Sequence, residues 1–175
     1  MTKRRLLVLV SLLLAVSFRG AAEEPRDAGM EAMKALPPLA GRWEGGGWIR
    51  QGPGEPERFV GEERVEPRLD GRVLVIEGKH WSPDRSRVVH HAFAVLSADP
   101  GKQGYRFQTH LANGRGGDFS GRMDNGTFVW EMNSPGGPIR YVIRVEGDRW
   151  HEIGEIERDG KWHQFLEMDL KRVGS

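Results

Sequence analysis

No cysteine occurs in the 175 residues. That absence excludes a disulfide scaffold, a thiolate zinc site, a cysteine nucleophile and a lipoprotein anchor. No charge of one sign dominates either, since 26 basic residues stand against 25 acidic ones, a formal charge of +1. The arginines are interleaved with glutamates, which describes a mixed solvated surface and not the basic footprint of a nucleic-acid binder. Only one long apolar run is present, Leu6 to Val16. Eleven residues span about 16 Å as a helix, too short for a hydrocarbon core of about 30 Å. Disorder is excluded as well, because 38% of the residues are apolar and 9% aromatic.

The flanks of the apolar run give it a meaning. Lys3, Arg4 and Arg5 precede it, and Gly20-Ala21-Ala22 follows before Glu23. That order reads as a cleaved secretory signal over residues 1–22, which predicts a secreted or periplasmic protein with no membrane span after cleavage. Cleavage removes Lys3, Arg4, Arg5 and Arg19 and no acidic residue, so the mature chain is mildly acidic. Residues 23–40 form a lead segment with one short helix. Asp27 can cap it, Met30, Met33 and Leu36 recur at helical spacing, and Pro37-Pro38 ends it. So short a helix does not stand alone in water, and it is expected to lie against the domain and cover one end.

From Gly41 onward no helical period is found. The chain reads instead as short runs at 41–50, 57–68, 71–80, 86–98, 103–111, 116–122, 126–132, 138–146, 149–157 and 161–173, separated by turn residues. Asn125-Gly126 and Asp159-Gly160 suit type I′ hairpins, which need positive φ at both central residues. Ten strands joined by short turns predict an all-β, antiparallel, up-and-down sheet over a single domain, 41–173. A sheet of that length tends to curl and close, which removes its edges.

Alternation sorts the faces, because successive side chains on a strand point to opposite sides. Phe59, Gly61, Glu63 and Val65 share one face of their run, against Arg58, Glu62, Arg64 and Glu66. Tyr105 and Phe107, Phe128 and Trp130, Tyr141 and Ile143, and Leu166, Met168 and Leu170 mark the inward face of later runs. The runs 71–80 and 86–98 are apolar on both faces, which leaves their phase open. Two carboxylates fall in the inward phase: Glu63, and Glu152 between Trp150 and Ile156. A buried carboxylate is costly unless it is paired or neutralised, so both are informative positions.

Residues 39–48, Leu-Ala-Gly-Arg-Trp-Glu-Gly-Gly-Gly-Trp, resemble the GxW opening of the calycin superfamily. In that superfamily the first-strand Trp plugs one end of a barrel and an Arg of the last strand stacks on it, places held here by Trp43 and Arg172. The GxWxGxGW opening, the stretch Leu69–Gly78 and the closing WHEIGE and FLEMDLKRV segments are similar to a family of small secreted bacterial proteins without an assigned function. That family is related in appearance to lipocalins, fatty-acid-binding proteins and nitrobindin-like haem barrels. The resemblance implies a ten-stranded calycin-like barrel with a lumen, and no particular reaction.

Motifs for chemistry are sparse. Gly117-Asp118-Phe119-Ser120-Gly121 fails the spacing of a nucleophile elbow. Gly45-Gly46-Gly47 leads into no helix and no Lys-Ser/Thr, so it is not a phosphate loop and suits a strong bend or close approach in the first strand. His90 and His91 point to opposite faces and cannot share one ion, and no HExxH is present, so no metal site is expected. The expectation is therefore a secreted barrel that binds a hydrophobic or amphipathic small molecule, with no cofactor. Glu63, Tyr105, Phe107, Trp130, Tyr141, Glu152, Leu166 and Met168 are the candidate lumen residues. Three alternatives stay open: an enzyme using Glu63 and Glu152, a haem barrel with His91 as ligand because it shares a face with Phe93 and Val95, and a barrel filled by its own aromatics. The oligomeric state leaves no mark on the sequence.

Overall fold

The computed structural model describes residues 27–174. The leader assigned to residues 1–22 and the start of the lead segment lie outside the described residues. One helix, α1 (Ala28–Lys34), precedes ten strands. These are β1 (Gly41–Ile49), β2 (Glu57–Arg68), β3 (Val73–Trp81), β4 (Val88–Asp99) and β5 (Gly104–Leu111), then β6 (Gly116–Asp124), β7 (Thr127–Ser134), β8 (Gly137–Glu146), β9 (Arg149–Arg158) and β10 (Lys161–Gly174). Each strand pairs antiparallel with its chain neighbours, and β1 pairs with β10 to close a barrel. The predicted all-β, ten-stranded antiparallel architecture with one short helix is the observed one.

Local chemistry explains the elements. Asn125 and Gly126, and Asp159 and Gly160, all have positive φ, as the two-residue hairpins β6–β7 and β9–β10 require. Asp27 caps α1 by accepting from the amides of Gly29 (3.1 Å) and Met30 (3.2 Å). The glycines of β1 serve the closing seam. A side chain at Gly45 or Gly47 would strike the carbonyl oxygens of Asp169 or Glu167 on β10. The sheet can therefore bend sharply where first and last strands meet. Outside, the interleaved charges pair across strands: Arg122 with Glu131, Arg140 with Glu155 and Arg149 with Asp169.

One end of the barrel is solid. Trp43 and Trp150 meet edge to face, with ring centroids 5.6 Å apart. The Arg172 guanidinium lies 4.0 Å from the Trp43 ring and donates to the carbonyls of Pro38 (2.7 Å) and Ala40. The Trp43 indole donates to Leu39 O at 2.8 Å. Leu39, Val65, Leu96 and Phe128 complete this buried end. The helix is anchored here, because Tyr105 Oη donates to Ala32 O at 2.7 Å and Met33 is buried.

Burial resolves the two runs whose phase the sequence leaves open. Leu74, Ile76, Gly78 and His80 point inward on β3, and Ala94 and Leu96 on β4. His91, Phe93 and Val95 therefore face outward, and Phe93 is 40% exposed. The expectation that put His91 in the lumen is corrected: both faces of β4 are apolar, so its own pattern gave the wrong phase, and closure of the barrel sets the right one.

Candidate functional site

The other end of the barrel holds an open cavity of about 720 Å³. Glu63, Phe107, Trp130, Tyr141, Glu152, Leu166 and Met168 all line it. That volume argues against a barrel filled by its own aromatics, and the fully buried end is the one around Trp43 and Phe128. Tyr105 is not on the cavity wall. It starts β5 near the closed end, where its ring meets Phe128 edge to face at 5.5 Å and its hydroxyl is spent on α1. Its inward phase was right; its height along the barrel axis placed it in the solid end.

The cavity has an aromatic side. Trp130 and Tyr141 are register partners on β7 and β8, and their rings stack at 4.2 Å with an interplanar angle of 5°. Phe107 lies 4.8 Å and Phe119 5.4 Å from Trp130, and Phe165 meets Tyr141 edge to face at 5.7 Å. Gly154 on β9 makes room for this wall, because a side chain there would press on Tyr141, Phe165 and Leu166.

The floor is polar. Glu63 Oε1 lies 3.0 Å from His80 Nε2, and both side chains are buried. Their placement is reciprocal across β2 and β3. Glu63 is the register partner of Gly78, and His80 of Gly61. A Cβ at Gly78 would collide with the Glu63 carboxylate, and one at Gly61 with the His80 ring. Each polar side chain thus lies flat over a glycine on the facing strand. Phe59 stacks on His80 at 4.6 Å, and the His90 ring lies 5.5 Å from His80. Burial holds His90 neutral, down to about pH 4, helped by repulsion from His80, His91 and Arg115.

Glu152 completes the floor from β9. The Trp150 indole donates to its Oε2 at 3.2 Å. Burial among protein groups pushes its pKa up to about 8, the Glu63 charge adds to the rise, and the indole bond opposes it. The Tyr141 phenol is raised too, by burial first and then by the Glu152 charge. The two carboxyls are thus close enough to feel each other, and Glu152 is the one pushed toward its protonated form. The cations of the cavity, Arg50 and Arg115, are exposed at the rim.

His80, His90, Phe119 and Phe165 line the cavity without having been marked by the sequence, and Phe59 joins them from a position read as inward. His80 had a usable signal, since it continues the Leu74-Ile76-Gly78 alternation, but its strand had no assigned phase. His91 does not fit a haem-ligand role: its Nε2 pairs with Glu77 at 3.0 Å on the barrel exterior. His151, Glu167 and Asp169 form a potential ligand cluster on the outer face of β9 and β10. Their polar atoms are engaged already, with one another, Trp48, Gln164 and Arg149.

No family model and no curated protein matches the chain. Among solved structures, the crystal structure of Rv2717c from M. tuberculosis is similar, with a TM-score of 0.63 at 16% identity. The match covers 81% of this chain and 96% of that one. At that identity the likeness bears on the fold alone.

Proposed function

We propose that the protein is a small-molecule-binding barrel whose lumen takes a ligand with an apolar body and one polar end. The observation that carries this reading is the cavity of about 720 Å³, walled by Trp130, Tyr141 and Phe107 and floored by Glu63, His80 and Glu152. Small-molecule sites have this make-up: a concave, mostly apolar volume of about 300–1,000 Å³ with a few converging polar groups. The solid, tethered end supports the role, because a rigid floor holds the polar groups in place without a ligand.

Nile red, a neutral apolar dye, tests the reading directly. Its fluorescence should rise on titration with the protein, and Met168→Trp, which intrudes on the lumen beside Glu152, should weaken the rise. Native mass spectrometry of the protein purified from its own compartment should show a co-purifying adduct in the unaltered chain and less of it in Met168→Trp. A bare mass together with no dye binding refutes the proposal. A haem adduct that survives His91→Ala and disappears in His90→Ala replaces it with a haem barrel.

Glu152 favours a second reading, acid–base catalysis. It keeps its proton to about pH 8 in the same cavity as the Glu63–His80 pair. One group can donate a proton and the other can accept one. If the ligand recovered after incubation has a changed mass, and Glu152→Gln prevents the change, the protein is an enzyme. An unchanged mass makes it a binder.

A further inference from the structure

The floor of the lumen is acidic. Glu63 and Glu152 both project into it, and among the described residues the lining contains no lysine, and no arginine below the rim pair Arg50 and Arg115. Glu63 has His80 at 3.0 Å. Among the described residues, Glu152 has the Trp150 indole and the neighbouring Tyr141. A glutamine at 152 could accept the same indole hydrogen bond without the expense of burying an acid. An acid gains over glutamine when a cation comes to it. Above the floor stands a wall of π faces, Trp130 on Tyr141 with Phe107 and Phe165, a surface that attracts cations as well as apolar groups.

Resting on the lumen as a binding site, we propose that its ligand is a monoamine with an apolar body. The ammonium lies between Glu63 and Glu152, and the body lies along the Trp130–Tyr141 wall. The ammonium supplies the positive partner that Glu152 lacks, so Glu152 is ionised in the complex. A neutral alcohol can hydrogen-bond on the floor but gains none of this charge pairing. A carboxylate meets two acids and is rejected. Arg50 and Arg115 at the rim oppose a second cationic end, which selects a monoamine over a diamine. His90, held neutral by burial, brings no competing positive charge near pH 7.

Binding is coupled to proton release. The groups facing Glu152 are Glu63 from β2 and Tyr141 from β8, with His80 and His90 beyond Glu63. At pH 7, below its pKa of about 8, Glu152 mostly holds its proton, and the incoming ammonium expels it.

The test is calorimetric titration of the folded chain with octylamine, octanol and octanoate at pH 7, in buffers of different ionisation enthalpy. Octylamine should bind at least tenfold more tightly than octanol, and octanoate weakest. Octylamine binding should release close to one proton. Glu152→Gln should weaken octylamine at least tenfold, weaken octanol far less and cancel the proton release, with a thermal melt confirming the fold. Equal affinities for amine and alcohol, or an unaltered octylamine affinity in Glu152→Gln, overturn the amine assignment while Nile red binding upholds the lumen as a site. Failure of all three ligands and of Nile red overturns both.

Discussion

Replacing Glu152 by glutamine should make the stability of the protein less dependent on pH, and the sign can be worked out. An unfolded glutamate titrates near its ordinary 4.5, whereas Glu152 in the folded chain titrates near 8. Below pH 4.5 both states hold the proton, and the group contributes nothing to the difference. Between pH 4.5 and 8 the folded chain keeps a proton that the unfolded chain has released. Each rise of one pH unit in that window therefore removes about 1.4 kcal/mol of stability. Across the whole window the loss is roughly 5 kcal/mol in a dry lumen, and about 2–3 kcal/mol if solvent entering the open end relieves half of it. Above pH 8 both states are ionised and the slope vanishes. Glutamine keeps the Trp150 hydrogen bond and has no such slope. The assay is urea denaturation of both chains from pH 4 to 9. The stability of Glu152→Gln minus that of the original chain should climb from pH 4.5 to 8 and then level. Glu63→Gln should shift the end of the climb to lower pH, because the Glu63 charge is the second cause of the raised pKa. A flat difference curve refutes the reasoning.

Other perturbations address the remaining parts of the structure. His90 should give an acid limb: its folded pKa is about 4 against an ordinary 6.5, so stability falls as pH drops through that window, and His90→Phe should flatten the fall in the same urea experiment. Trp43→Ala should cost about 3–5 kcal/mol by opening a cavity in the solid end, seen as a lower urea midpoint with an unchanged m-value. Tyr105→Phe should cost about 1 kcal/mol and raise amide exchange in α1 without altering Nile red affinity, because its hydroxyl ties the helix and not the lumen. Gly78→Ala should displace Glu63 from His80 and weaken octylamine more than octanol, read by titration. His91→Ala should change stability by less than about 0.5 kcal/mol and leave lumen binding intact, since its partner Glu77 is on the exposed face.

Much of the barrel was legible in the residues because its strands alternate. Phe59-Gly61-Glu63-Val65 and Leu166-Met168-Leu170 declare a buried face directly, and Asn125-Gly126 and Asp159-Gly160 declare their turns. Glu63 and Glu152 stood out for the same reason, as acids in apolar phase. Alternation fails at β4, where His90, Ala92, Ala94 and Leu96 compete with Val89, His91, Phe93 and Val95 for the inside. Alternation has no means of choosing between two apolar faces, so His91 was nominated in place of His90. It erred differently at Tyr105, where phase gave the correct side of the sheet and could not tell the solid end from the open one.

Composition and alternation thus determined the fold class, the strand count, the hairpins and the sidedness of most strands, because these depend on local φ preferences and a period of two. Closure decided the rest. Pairing β1 with β10 set the inward face of β4 and put Arg172 over Trp43. It also brought Glu63 of β2 and Glu152 of β9 onto one floor, although they are far apart in the chain. The reciprocal seating of Glu63 over Gly78 and His80 over Gly61 depends on the register of two strands, which neither strand specifies alone. The raised pKa of Glu152 belongs to the same level, since burial and a second carboxyl exist only once the sheet has curled around them.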